Sequence, residues 1–192
     1  KLLLVVLSFA FINPILAEEN LYDRGKELVD QKQYQKALKA FELASKAGSL
    51  DALTALGVMH IGGIGVKQDN IKGHNYIKEA ADKSDPKAQY TLGALYYLGV
   101  GVEKNFKKAF KWLNLSSEQN YIDAKSNLGV MYEFGEGVDQ SYEKAYEYYL
   151  FAARRDNLES QIKLASMYRD GIGTDMDLEK SSYWLKRIED SK

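Results

Sequence analysis

The feature that most constrains this chain is an internal repeat with a period of 36 residues. Two markers keep that spacing without a gap: leucine followed by a small residue, and a Gly-x-Gly tripeptide. The leucine pairs are Leu56-Gly57, Leu92-Gly93, Leu128-Gly129 and Leu164-Ala165. The tripeptides begin at Gly63, Gly99, Gly135 and Gly171. A fixed period of this length predicts stacked structural units rather than one globule.

Each unit carries the pattern of two helices. Ala124, Leu128 and Met131 lie at helical spacing, which is typical of a helix with one buried face. Polar residues that can cap a helix precede each apolar stretch, and the Gly-x-Gly ends the first helix. The predicted caps are Ser49, Asp85, Asn120 and Asn157 for first helices, and Asp69, Asn105, Ser141 and Asp177 for second helices. No segment alternates with a period of two, so we expect no β-sheet.

Glycine in the middle of a first helix predicts that the two helices of a unit approach closely. Glycine is unfavourable there, so Gly57, Gly93 and Gly129 require a packing reason. We expect Val66, Val102 and Val138, which follow the corner glycines, to turn inward. The corners match neither the dinucleotide-binding nor the P-loop pattern, so they predict no phosphate site.

The stretch from Leu21 to Gly48 repeats the same pattern with a shorter connection. Gly25 and Ala37 are twelve residues apart, whereas Gly57 and Gly73 are sixteen apart. Four residues are therefore missing between its two predicted helices.

The later units resemble Sel1-like repeats, which are relatives of the tetratricopeptide repeat (TPR). They share A-x3-LG-x2-Y, then G-x-G-V, then a helix with A-x2-W/Y, whereas the first unit resembles the TPR itself. The resemblance implies an all-α fold, a right-handed α-solenoid superhelix of stacked antiparallel helix pairs. It places a TPR-like repeat at 18–50 and four Sel1-like repeats at 51–86, 87–122, 123–158 and 159–192.

Residues 1–17 have the pattern of a secretory signal peptide. An apolar stretch from Leu2 to Ile12 follows Lys1, Pro14 breaks a helix, and Ala17 supplies a small residue for cleavage. This stretch of eleven residues, apolar except for Ser8, is too short to span a bilayer as a helix. We therefore expect export to the periplasm or the medium of a bacterium, without stable membrane insertion after cleavage. A buried N-terminal helix or an uncleaved anchor is the alternative.

Composition narrows the possible functions. The 26 basic residues nearly balance the 27 acidic ones, so no long-range attraction for nucleic acid is expected. The chain has no cysteine, which excludes disulfides and thiol catalysis. His60 and His74 flank one corner near Asp69, but they lack the spacing of a helical zinc site. We expect no metal, no cofactor and no catalytic residues.

By resemblance to the family, the first helices line a concave groove that binds a partner. Exposed tyrosines such as Tyr90 and Tyr97 would supply large contact areas there, although both could instead pack against neighbouring units. The predicted partner-binding residues are Tyr22, Lys26, Thr54, Val58, Ile61, Tyr90, Tyr97, Ser126, Val130, Glu133, Ile162 and Arg169.

The predicted function is that of an exported, monomeric, non-enzymatic scaffold that binds a protein or peptide in envelope assembly, regulation or host interaction. One alternative is a hydrolase of β-lactam or peptidoglycan-like substrates, because cysteine-rich relatives of the family are described that way. Another is a purely structural spacer, for which Tyr90→Ala and Tyr97→Ala would change no interaction.

Overall fold

The computed structural model describes residues 14–190, with side chains from Leu21 onward. These residues form ten α-helices and no β-strand, as the sequence predicts. Consecutive helices pack against each other in pairs, and the pairs stack into an α-solenoid. The helices are α1 (Pro14–Asp30), α2 (Tyr34–Lys46), α3 (Leu50–Gly62), α4 (Asn70–Asp82), α5 (Pro86–Leu98), α6 (Phe106–Glu118), α7 (Ile122–Phe134), α8 (Tyr142–Ala153), α9 (Leu158–Asp170) and α10 (Leu178–Asp190).

The helix caps follow the predicted register with one exception. Ser49, Asp85 and Asn157 each accept a backbone N–H in the first turn of their helix. The prediction for Asn120 is wrong, because α7 is capped by Tyr121, whose side chain makes no capping bond. Asn120 instead takes a left-handed conformation, with φ of 62°, in the turn that follows α6. An aromatic residue thus occupies a position where the neighbouring repeats have polar caps.

The glycines inside the first helices sit where paired helices meet, as predicted. A Cβ atom on Gly129 would lie 2.6 Å from the ring of Tyr149, which is fully buried on α8. Gly73, which departs from the alanine of other repeats, has a similar reason. A Cβ there would lie 2.6 Å from the carbonyl oxygen of Gly57. Both positions therefore exclude even a methyl group.

The Gly-x-Gly corners connect each repeat to the one before it. Gly135 ends α7 in the left-handed conformation, with φ of 69°, and so fills the predicted capping role. Gly137 also has a positive φ, and a Cβ on it would lie 2.5 Å from the backbone of Phe106 at the start of α6. The corresponding glycines of the other corners meet Tyr34, Asn70 and Tyr142 in the same way. Two of the predicted inward valines, Val66 and Val138, pack against the core beside these contacts.

Side-chain bonds join the first helices of neighbouring repeats. Lys163 of α9 pairs with Glu133 of α7 at 2.9 Å, and Lys87 of α5 pairs with Asp51 of α3 at 3.3 Å. The backbones of α3 and α5 also approach each other directly. The first helices therefore form the inner side of the stack, and we call the surface of α1, α3, α5, α7 and α9 the inner wall.

Part of the predicted signal peptide, residues 1–13, lies outside the described residues. Helix α1 begins at Pro14, where a proline costs least, and it continues through the predicted cleavage position after Ala17. None of the helices in residues 14–190 combines the length and apolar content that crossing a membrane requires.

Substituting alanine for Gly129 should destabilise the protein. Overpacking against a rigid ring costs about 2 kcal/mol, so a destabilisation of about 1 kcal/mol remains after the gain of about 1 kcal/mol in helix propensity. We expect the melting temperature to fall by about 2–4 °C in thermal denaturation followed by circular dichroism.

Gly62→Ala is the matched control, because Gly62 also lies in a first helix but is exposed near its end. A Cβ there would meet only the side chain of Ile64, at 3.1 Å. The control should leave the melting temperature unchanged or raise it. Equal effects of the two substitutions would contradict the packing role of Gly129.

Candidate functional site

The inner wall contains an apolar pocket at its N-terminal end. The pocket has a volume of ≈ 410 Å³ and lies between α1 and α3. Its apolar lining includes Val29, Phe41, Val58 and Met59, and Val58 is 45% exposed. A concave apolar surface of this size falls within the range of ligand-binding pockets in proteins.

Lysines border this pocket. Lys26 pairs with Asp23 at 2.7 Å and lies over the ring of Tyr22, with its Nζ atom 5.0 Å from the ring centre. Lys87 donates to the hydroxyl of Tyr22 and to Asp51, each at 3.3 Å. Burial lowers the pKa of Lys87, but these bonds outweigh it, so the pKa lies above its usual value. Both lysines therefore remain charged at neutral pH.

The predicted tyrosines Tyr90 and Tyr97 are half-buried, and each packs on another aromatic ring. Tyr90 lies against Tyr121, with ring centres 5.1 Å apart, and Tyr97 lies against Phe106 at 5.2 Å. The hydroxyl of Tyr97 donates to Glu136 at 2.6 Å. Burial, and to a smaller extent this hydrogen bond, raises the pKa of Tyr97 to about 12. Packing and partial exposure, which the sequence leaves as alternatives, coexist at both residues.

A second cavity opens on the inner wall between α5, α7 and α9. It has a volume of ≈ 200 Å³ and is lined by Tyr97, Asn127, Val130 and Glu159. The carboxylate of Glu159 has no cation within 4 Å among the described side chains. This cavity therefore combines an aromatic wall with an uncompensated negative charge.

Glu133, another predicted groove residue, is held from two sides. It accepts a hydrogen bond of 2.6 Å from Tyr149 and pairs with Lys163 at 2.9 Å. Burial, and to a smaller extent the hydrogen bond to Glu133, raises the pKa of Tyr149 far above its usual value. Gly129 makes this arrangement possible because the ring of Tyr149 passes directly over it.

The structure places two predicted groove residues in the interior instead. Thr54 is 2% exposed and Ser126 is 1% exposed. The hydroxyl of Ser160 on α9 donates to that of Ser126 at 2.9 Å, so this register position faces the next first helix. Thr54 forms part of the pocket wall between α1 and α3, and its hydroxyl donates to the carbonyl oxygen of Leu50. Neither hydroxyl is therefore available to a partner.

The other predicted residues differ in accessibility. Ile162 is 52% exposed on α9, and Arg169 is exposed and pairs with Asp170 at 2.8 Å. Ile61 packs against the core near α4 instead of facing outward. The predicted set therefore divides into an accessible part and a packed part.

Sequence reasoning missed Tyr121 and Glu159. The repeat itself could have revealed both, because Tyr121 occupies the capping register of Ser49, Asp85 and Asn157. Glu159 occupies the register of Asp51, Lys87 and Asp123 at the start of each first helix. Acidic side chains at helix N-termini interact favourably with the helix dipole, so an acidic residue at this position also has a structural role.

His60 and His74 are both buried and lie against aromatic rings. His60 stacks on Tyr76 at 5.6 Å, and His74 meets the edge of Tyr96 at 5.8 Å. No group of three potential metal ligands occurs in the described part of the chain. Burial lowers the pKa of His60, so this histidine is held neutral in the fold.

Comparison with known families identifies the repeats. The sequence model of the Sel1 repeat matches residues 16–49, 50–85, 86–121, 122–157 and 158–188. The chain belongs to the Sel1 repeat family. Sel1 repeats form scaffolds that generally mediate protein–protein interactions. The same model matches the shorter first unit, for which the sequence predicts a TPR-like repeat at 18–50.

Two solved structures have the same arrangement of helices. A protective antigen of uropathogenic Escherichia coli with an SLR fold superposes with a TM-score of 0.82 at 26% identity. That match covers 91% of this chain but only 38% of the antigen. A Sel1 repeat protein from Oxalobacter formigenes gives a TM-score of 0.81 at 25% identity, covering 94% of this chain and 74% of that protein. No curated protein matched the sequence.

Substituting tyrosine for His60 should reduce the acid sensitivity of this Sel1 repeat protein. The pKa of the folded state lies below the unfolded value of about 6.5, so unfolding takes up a proton as the pH falls. Stability contributed by neutral His60 is therefore present above that pH and is lost below it. Tyrosine occupies the same register at Tyr96, Tyr132 and Tyr168. A phenol, with an ordinary pKa of about 10, takes up no proton in this pH range.

Urea unfolding at pH 7.5 and pH 5.5 measures this effect. The loss of unfolding free energy between the two pH values should be smaller in His60→Tyr than in the wild type. An identical loss in both proteins would show that His60 is not a source of acid sensitivity.

Proposed function

We propose that this protein is an exported, non-enzymatic scaffold that binds a protein or peptide segment along its inner wall. The observation that carries the proposal is the apolar pocket of ≈ 410 Å³ between α1 and α3, which Lys87 of α5 borders. Rigid helices hold these surfaces in place before binding, so little entropy is lost on association.

The geometry of the inner wall favours an extended chain over a small molecule. The exposed apolar residues Val58, Leu98 and Ile162 lie on three different first helices. A ligand that covers all of them must span several repeats, as a peptide or a protein surface does. Half-buried tyrosines between these helices supply contact area at a low cost in side-chain entropy.

The proposed site of action is the bacterial envelope or its exterior. This part of the proposal rests on the signal-peptide pattern of residues 1–17, with cleavage after Ala17. After cleavage we expect a monomer without nucleic-acid partners, because its charge is nearly balanced. Envelope assembly, regulation and host contact are all compatible with such a scaffold.

Charged substitutions on the inner wall should abolish partner capture. Val58→Lys and Ile162→Lys each place a charge on an exposed apolar contact, which a bound partner would have to desolvate. We expect affinity capture from the envelope fraction, quantified by mass spectrometry, to lose the same proteins with either variant.

Ile71→Lys is the matched control, because Ile71 is 69% exposed on α4, away from the inner wall. This variant should capture the same proteins as the wild type. Proteins that bind all four forms equally would contradict the inner wall as the binding surface.

A further inference from the structure

On the first helices the cationic side chains have partners, whereas several carboxylates have no cation nearby. Lys26, Lys87, Lys163 and Arg169 each have a carboxylate within 4 Å. Lys125 is different, because it points away from the inner wall and lies 4.3 Å from the ring centre of Phe151 on α8. Arg24 also pairs with Glu27, so no lysine or arginine of the described first helices is free. Lys104, in the corner after α5, has no carboxylate within 4 Å among the described side chains and lies over the rings of Phe106 and Tyr97, with its Nζ atom 4.4 Å and 5.8 Å from the two ring centres.

Carboxylates on the same surface remain without a cation. Asp123 accepts only a hydrogen bond of 3.1 Å from Asn157, and Glu136 accepts only the bond from Tyr97. Glu159 has neither an ion pair nor a hydrogen bond among the described side chains. All three lie on or beside α7 and α9, so the C-terminal half of the inner wall has a surplus of negative charge.

Of these carboxylates, Glu159 lines the cavity between α5, α7 and α9, and Glu136 accepts the hydrogen bond of Tyr97 in the cavity wall. At ≈ 200 Å³ the cavity is smaller than typical pockets for drug-sized ligands but large enough for one long side chain. Tyr97 offers an aromatic face and Val130 an apolar contact, while Glu159 lies at the same opening. A guanidinium or ammonium group interacts favourably with a ring face and with a carboxylate together.

We propose that this cavity receives an arginine or lysine side chain from an extended partner peptide. The aliphatic stem would pack on Val130 and Tyr97, and the charged head would pair with Glu159. The inference rests on the proposed function, because it assigns a chemistry to the segment that the inner wall binds. The partner is accordingly a basic peptide segment with apolar residues for the pocket between α1 and α3.

A displayed library of random dodecapeptides, selected on the full chain, tests the proposal. Selected peptides are measured by fluorescence anisotropy with the wild type, with Glu159→Gln and with the control Glu147→Gln on the exposed surface of α8. We expect arginine and lysine to be enriched. Binding should weaken about threefold to tenfold with Glu159→Gln and remain unchanged with the control.

Replacing the selected arginine by citrulline, which has the same shape but no charge, should cause a similar loss with the wild type and little further loss with Glu159→Gln. Binding should also weaken as salt is added. Circular dichroism of each variant checks that the fold is retained.

Two other results separate failure of this inference from failure of the proposed function. Peptides that are lost with Val58→Lys or Ile162→Lys, but lack basic residues or ignore Glu159→Gln, would overturn the cation site and leave the scaffold function in place. Peptides that bind every variant equally, or no selected peptides at all, would overturn both.

Discussion

The contact between each corner glycine and the preceding repeat is the interaction on which the rest of the structure depends. Gly137 lies so close to the backbone of Phe106 that a methyl group would not fit, and its positive φ excludes most other residues as well. The same contact recurs at the other three corners. Because each repeat meets only its neighbours, these contacts determine how the whole array stacks.

The stacking determines what the inner wall can bind. Neighbouring first helices lie close enough for Lys163 to reach Glu133 and for Ser160 to reach Ser126. Side chains that form these bonds are not available to contact a partner. Val58, Tyr97 and Glu159 take no part in these bonds and remain accessible. The binding surface therefore consists of the residues that the packing between repeats does not use. This division explains why the wall combines an apolar pocket with uncompensated carboxylates.

The fold could be predicted from the sequence because residues with the same packing role recur at the same position of several repeats. Helix boundaries, corner glycines and the small residues between helices follow from one register, as Gly57 and Gly129 illustrate. Tyr121 is the exception: residue type favours Asn120 as the cap of α7, whereas the register places the cap at Tyr121. A residue that departs from a repeated pattern points to a role other than the one the pattern serves, because the structural reason shared by the other repeats, here helix capping, does not explain it.

The site was only partly predictable for a different reason. Periodicity shows which face a residue occupies but not how far its neighbour extends over it. Ser126 and Ile162 share one register, yet Ser126 is covered by α9 and Ile162 is exposed. Which carboxylates lack a cation also depends on contacts between repeats, such as the pair of Lys87 and Asp51. Such contacts are a property of the assembled stack.

Unfolding in urea with two tryptophan probes tests the central claim most directly. Trp112 on α6 and Trp184 on α10 lie on opposite sides of the contact between Gly137 and Phe106. In Trp112→Phe and Trp184→Phe proteins, each remaining tryptophan reports one side by its fluorescence. With Gly137 in place, both should report the same midpoint.

In Gly137→Ala the two repeats that follow the contact should unfold at lower urea than the three before it, because two repeats are too few for a stable stack. Separated midpoints are therefore the expected result. Coincident midpoints in Gly137→Ala would contradict the claim that the corner glycine couples neighbouring repeats.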